Sequence, residues 1–376
     1  MDQTPTEPAV RPTVRFLDRS TPPHIATLVA VTGLSALTMN IFLPSLPGMT
    51  EWFRTDYRVM QLSVSLYLAF SAGLQIVIGP VSDRFGRRSV LAWSVALFLV
   101  ATAGTLLAPT TAIFLGFRMM QAVVAAGMVL SRAVIRDMVP VEQAASMIGY
   151  VTMGMAFVPM VGPMIGGVLD EAFGWQANFV LLFVLGIAVF WLILADLGET
   201  ATGTHTGFAD QARQYPELLT SPRFWGYSLA AAFASGAFFA YLGGAPYVGS
   251  EIYGLSPGKL GIYLAAPAIG YAYGNYLSGR HSARVGLNQM ILWGATITAV
   301  AMGLLTLLSA AGLAGTASGL GGALMIGGGA GISALAGWAL GLGGGAAPLA
   351  VLMFICAIAS FVCILMVIRR TRRLTR

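Results

Sequence analysis

Residues 79–88 read GPVSDRFGRR, a short charged gap between two long apolar stretches. A loop carrying Asp83, Arg84, Arg87 and Arg88 in that setting has few roles other than joining two membrane helices on the cytoplasmic side. The same frame returns 200 residues later, where Gly79, Ser82, Arg84 and Gly86 are answered by Gly279, Ser282, Arg284 and Gly286. Such internal repetition of a helix–loop–helix is the ground plan of secondary transporters.

The remaining composition leaves little room for a soluble fold. Charged residues make up 10% of the chain and apolar ones 57%, whereas soluble domains carry about 25% charged residues. One core cannot absorb that much apolar surface, because soluble cores stop growing near ~250–300 residues. Most of the chain is therefore expected to face lipid. Apolar runs of about 20 residues cross a bilayer as helices, and eleven are present: 24–47, 58–80, 89–108, 111–133, 144–169, 175–197, 223–247, 258–278, 288–311, 316–340 and 347–368. The alternation of a barrel is missing, and lipid satisfies no backbone group, so helices are the expected solution. The expected division is a cytoplasmic tail (1–22), a six-helix N-terminal bundle (23–197), a cytoplasmic linker (198–222), a C-terminal bundle of about five helices (223–368) and a basic tail (369–376). The first 22 residues hold Arg11, Arg15 and Arg19 but no apolar core or cleavage site of a signal peptide.

Charge asymmetry orients these spans. With the N-terminus inside, twelve arginines, from Arg11 to Arg284, fall on the cytoplasmic side, against Arg54, Arg58 and Lys259 outside. The tail RRTRRLTR (369–376) conflicts with this, since eleven spans place its five arginines outside. Internal alignment offers a reason. TEWF (50–53) matches SEIY (250–253) at the offset of the charged loop, but AASMIG (144–149) aligns with TASGLG (316–321) at a shorter one. The second half is thus expected to lack the counterpart of the fourth span, near Ser309–Gly315. Residues 312–345 hold fourteen glycines among Leu, Met, Ile and Trp338, as a close-packed span would.

Other classes find little support. The basic residues are scattered through short loops, so no nucleic-acid partner is expected. Cys356 and Cys363 share an apolar span, and His24, His205 and His281 lie far apart, so no metal site is expected. No nucleophile–base or metal constellation marks an enzyme.

Several segments together resemble the major facilitator superfamily, and within it the bicyclomycin-resistance (Bcr/CflA) multidrug branch. GPVSDRFGRR matches the superfamily's loop between spans two and three. RMMQAVVAAGMVLSRAVIRD (118–137) resembles the branch's fourth span, with its Arg-x-x-Gln-Ala opening, and VGPMIGG (161–167) the antiporter motif of the fifth, to which Gly149 also belongs. NIFLPSLP (40–47) resembles the branch's first-span ending, with Asn40 where the family has aspartate. The resemblance covers nearly the whole chain from about residue 24. It implies an all-α membrane protein of two pseudo-symmetric bundles, a twelve-span parent with eleven spans here. It further implies monomeric, proton-coupled export of drugs across the bacterial inner membrane, with no cofactor beyond the proton.

The candidate residues carry specific chemistry. Gly79, Asp83, Arg84, Gly86, Arg87 and Arg88 are expected either to latch one state of a transport cycle or simply to anchor the loop at the anionic leaflet surface. Arg118 lies about 10 Å inside its span at 1.5 Å per residue, with Gln121 on the same face. It either lines a cavity or holds the carbonyls of broken helices. Gly162, Pro163, Gly166 and Gly167 make a kinkable, closely packed helix. Tyr67, Met153, Phe239, Tyr241 and Tyr271 are candidates for an adaptable apolar wall suited to a small lipophilic substrate. Asn40 can bond a substrate but cannot carry a proton, and none of the fifteen acids falls mid-span. An acid at a helix end, or weak coupling, is then expected. A metabolite exporter, or a relative made transport-defective by the lost helix, are the alternatives.

Overall fold

The computed structural model describes residues 15–138, 141–200, 219–267 and 287–310, with individual residues at 216, within 269–277 and within 351–365. Every regular element among them is helical. In chain order they are α1 (Ile25–Asn40), α2 (Leu46–Trp52), α3 (Tyr57–Phe85), α4 (Arg87–Leu106), α5 (Thr111–Gln121), α6 (Ala126–Met138), α7 (Val141–Phe173), α8 (Gln176–Asp196), α9 (Pro222–Tyr247), α10 (Pro257–Ala265) and α11 (Leu287–Ala310).

Six stretches among the described residues are long and apolar enough to cross a membrane: Ile25–Trp52, Tyr57–Phe85, Arg87–Leu106, Thr111–Met138, Gln176–Asp196 and Phe224–Ile252. They coincide with expected spans one to four, six and seven, and α7 supplies the fifth. The fourth runs to Met138, past the expected end at 133, because Arg132, Arg136 and Asp137 continue the helix beyond the apolar run. The outward faces are those of a lipid-solvated protein. Trp93 and Val100 on α4, and Val184 and Trp191 on α8, are more than half exposed, a surface a soluble monomer rarely presents.

Two spans are broken near mid-membrane. The first stops as an α-helix at Asn40, passes through a 3₁₀ turn (Leu43–Ser45) and resumes as α2. Pro44 and Pro47 lack the N–H groups that would carry the ladder through. The fourth is interrupted by a 3₁₀ segment, Ala122–Ala125. The break in the fourth span packs on the helical part of the first: Ser35 Oγ donates to Val124 O at 2.6 Å, and beside them a Cβ on Gly127 would lie 2.6 Å from Val31 Cγ1. Between α1, α5 and α8, rings of Phe42, Phe53, Phe114, Trp175 and Phe179 stack at centroid distances of 5.3–5.9 Å, closing the arginine-poor end of this bundle.

Third and sixth spans pair through a glycine. A Cβ on Gly186 of α8 would lie 2.8 Å from Leu99 and 3.0 Å from Phe98 of α4. In the second half, Gly303 of α11 meets Phe354 in the same way, at 3.1 Å. The expected helix at 316–340, the missing span near 309–315 and the tail at 369–376 lie outside the described residues, as does most of the linker.

Candidate functional site

At the arginine-rich end, α3 and α4 are joined by Gly86 alone. Its φ of 89° belongs to the region that glycine enters freely, and a Cβ there would overlap the Glu199 carboxylate. Gly86 has no side chain to cap α4, so Glu199 does so from beyond α8: Arg87 N donates to Glu199 Oε1 at 2.7 Å. The Arg87 guanidinium pairs with Asp83, with Asp137 at 3.1 Å and with Ser82 Oγ. Arg88 Nη2 donates to Leu194 O at 3.2 Å. One arginine therefore ties α3, α4 and α6, and its neighbour reaches α8. Of the other latch candidates, Gly79 has open space around it, and Arg84 is exposed above the Phe85 ring.

Deeper in, Arg118 is completely buried. Its Nη2 donates to Thr38 O at 2.9 Å, its Nε to Ser63 O at 3.2 Å and its Nη1 to Gln121 Oε1 at 2.8 Å. Phe42 and Tyr67 cover the guanidinium, 4.4 Å and 4.1 Å from its carbon to their centroids. The helical ladder of α1 ends with Ile41 N on Leu37 O. Thr38 O is the next acceptor in line, and Arg118 supplies the donor that the helix no longer provides. Gln121 Nε2 passes the network on to Thr102 Oγ1 at 2.8 Å. Of the two expected roles for Arg118, this bonding is that of carbonyl-holding. Arg118→Met is expected to destabilise the fold by about 2–5 kcal/mol, because two buried carbonyls lose their donors. The thermal midpoint of the detergent-solubilised protein measures it, and an unshifted midpoint would refute the assignment.

Asn40 is also fully buried. Its Nδ2 donates to Ala36 O at 3.1 Å, while its Oδ1 has no hydrogen-bond partner among the described residues. The side chain faces α7 at Gly162, where an added Cβ would lie 3.9 Å from Asn40 Cβ. Its hydrogen bond goes to α1 itself, whereas Arg118 and Gln121 bond each other, so the three residues grouped as a cavity set do not share one described hydrogen-bond network.

The glycine motif forms a seam. A Cβ on Gly166 would overlap Ile41 O of the broken first span, and one on Gly167 would overlap Pro257 O, where α10 begins. From the other side, Gly261 of α10 could carry no Cβ without striking Pro163 O. Asn178 of α8 fastens the seam, donating to Ser45 Oγ at 2.9 Å and Gly166 O at 3.2 Å. At its end Glu171 Oε2 accepts from Gly258 N at 3.0 Å, capping α10 from α7. Next to it, burial pushes the Asp170 carboxyl up from its ordinary range; a bond from Ser45 opposes this and the Glu171 charge adds to it. Tyr57 OH completes the arginine-poor end by donating to Gly243 O at 2.9 Å.

The wall candidates are dispersed. Tyr67 is 2% exposed and packed on Arg118, not on an open cavity, because that cation draws the ring's electron-rich face. Tyr241 is buried, its OH donating to Tyr263 O at 2.8 Å. Phe239 is half-buried against Phe238, and Tyr271 is half-buried. Gly149 and Met153 lie in α7, but their surroundings fall outside the described residues. Sequence reasoning did not single out Asp137, Glu171, Asp196 or Glu199 as partners. Their one visible signal is an acid placed just where a span ends.

Broken apolar spans, a lipid-facing exterior and two helix sets meeting along glycines are the features of a multi-pass membrane transporter. The chain belongs to the Major Facilitator Superfamily, whose family model matches residues 28–340. It is 31% identical over 252 residues to a chloramphenicol resistance protein of Pseudomonas aeruginosa, covering 66% of this chain and 59% of that protein. It is 30% identical over 263 residues to the multidrug transporter MdfA of Yersinia pestis, covering 68% and 63%. The matched stretch therefore spans about three fifths of these relatives' length. In three dimensions it is similar to a bacterial homologue of the human lysosomal transporter Spinster in an inward-facing, occupied conformation, with a TM-score of 0.64 and 19% identity, covering 89% of this chain and 78% of that one.

Proposed function

We propose that this protein exports small lipophilic molecules, antibiotics among them, across the bacterial cytoplasmic membrane by alternating access, as a monomer with its N-terminus inside. The observation that carries this reading is the seam. Backbone meets backbone where α7 touches α1 and α10, and the arginine-poor end is shut there. With that end outward, an exporter shut there would load from the cytoplasm. The two relatives named for drug resistance support the substrate class. The coupling ion is the proton, and Asp170, half-buried with a raised pKa, is the acid placed to carry it. Vesicles containing the purified protein should accumulate chloramphenicol under an imposed proton gradient and acidify or alkalinise as they do. No drug movement would refute export, and drug movement without a pH change would refute proton coupling.

A second reading has one observation in its favour. Residues 107–175 hold two spans, whereas the corresponding interval of the second half is residues 311–350, long enough for one. Loss of that helix would leave a transport-defective relative, which neither moves drug nor changes vesicle pH.

A further inference from the structure

We propose that a cleft on the outer face of the first bundle, at its arginine-rich end, binds an anionic phospholipid. One acyl chain lies in the cleft, and Arg84 holds the phosphate. The site is separate from the solute path, and it stands whatever the transporter carries.

The cleft is a concavity of about 350 Å³ between the last turns of α3 and the first half of α4. Val81 and Phe85 of α3 line it together with Trp93 and Leu97 of α4, and Val123 of the interrupted fourth span also reaches it. Phe85 is 63% exposed and Trp93 76%, so these walls project from the bundle and are not its core. In a bilayer such a concavity is filled. An empty one forfeits the dispersion contacts of every atom that lines it, and a single flexible hydrocarbon chain fits without parting the helices. From Ser89 to Leu97 the cleft follows α4 for roughly 12 Å at 1.5 Å per residue. That is most of the ~15 Å which one leaflet contributes to the hydrocarbon core.

Charge complementarity selects the headgroup. Arg84 stands at the mouth of the cleft, its guanidinium carbon 5.5 Å from the centroid of the Phe85 ring. The acids nearby are engaged by Arg87: Asp83 and Asp137 pair with its guanidinium, and Glu199 accepts from its backbone N–H. Arg84 is exposed and has no hydrogen-bond or ion-pair partner among the described residues. Arg132 and Arg136, at the same end on α6, are likewise exposed and unpaired among the described residues. Ser89, in the first turn of α4, adds an exposed hydroxyl at the mouth. A guanidinium matches a phosphate with two parallel N–H bonds. A zwitterionic headgroup would bring its own cation up to these arginines, whereas an anionic one does not. Each basic residue beside an anionic surface favours the bound state by roughly fivefold.

Quenching of Trp93 fluorescence in nanodiscs of phosphatidylcholine tests this. The quencher is a minor share of lipid brominated on its acyl chains, either phosphatidylglycerol or phosphatidylcholine. The emission lost in Trp93→Phe isolates this tryptophan in the otherwise intact chain. Brominated phosphatidylglycerol is expected to quench Trp93 several-fold more than the same share of brominated phosphatidylcholine, and Arg84→Gln to bring the two close to equality. Trp191, exposed on α8 and away from the cleft, is the reference and should show a much smaller preference. Equal quenching of Trp93 by both lipids would overturn the anionic site. No quenching by either would mean that protein covers the cleft, and would overturn lipid occupancy altogether. The same preference at Trp191 as at Trp93 would reduce the effect to general surface charge, and a preference unchanged in Arg84→Gln would overturn the assignment to that arginine.

Discussion

Arg87→Ala is expected to reduce transport by tenfold to a hundredfold while leaving membrane insertion intact. Insertion depends on the apolar spans and on the arginine count of the loops, and Arg84 and Arg88 remain. Arg87 is instead the junction at which Asp83, Asp137 and Ser82 converge. Its side chain is 13% exposed, so its pairs are not the freely solvated kind that contribute next to nothing. Removing it takes the guanidinium from both carboxylates, and α3 and α6 lose a shared tie. Asp83→Asn should reproduce part of the loss, because an amide still accepts from the guanidinium but brings no charge. Initial rates of drug uptake into proteoliposomes, with gel-filtration profiles to verify folding, measure both. A full rate in Arg87→Ala would mean that the loop is only a topological anchor.

The glycine seam should be even less forgiving. At Gly166 an added methyl group would overlap Ile41 O, a backbone atom with nowhere to retreat, so Gly166→Ala is expected to lower the yield of folded protein sharply. Overpacking of this kind costs about 1–3 kcal/mol or more. Gly261 faces the other half of the molecule, where Pro163 O is the obstacle. Gly261→Ala should therefore fold but shift the population toward states with α7 and α10 apart. A cysteine at Ser45, fully buried here, introduced after Cys356 and Cys363 are replaced by alanine, would report it. An impermeant maleimide should label it several-fold faster in Gly261→Ala than in the parent. Equal labelling would show that the seam does not govern access from that end.

Much of this architecture could be read from the chain because lipid imposes a coarse and legible code. Spans one to four, six and seven were visible as apolar runs, and the charged loop was visible as their interruption. What escaped were the long-range pairings. Nothing near Glu199 announces that it will cap α4 across the sequence, and the demand becomes apparent only once Gly86 is seen to have no side chain of its own. Arg118 was marked as anomalous by its position, but whether it faced a cavity or the carbonyls of another span depended on where α1 breaks. The prolines at 44 and 47 account for that break, but nothing in the sequence sets Ser35 of α1 against Val124 in the interruption of the fourth span. Tyr67 looked like a cavity residue because aromatic residues are common on such walls; the cation beneath it decided otherwise.

Asp196 carries a consequence for how the molecule is assembled. This carboxylate emerges from the ribosome some 170 residues after the amides of Leu17 and His24 that it satisfies. Until the sixth membrane crossing is in place, the start of the first lacks the carboxylate that gathers Leu17, His24 and Thr27. The first half is consequently stitched shut by its last helix, and a nascent chain interrupted before that point would leave its opening residues adrift at the membrane surface.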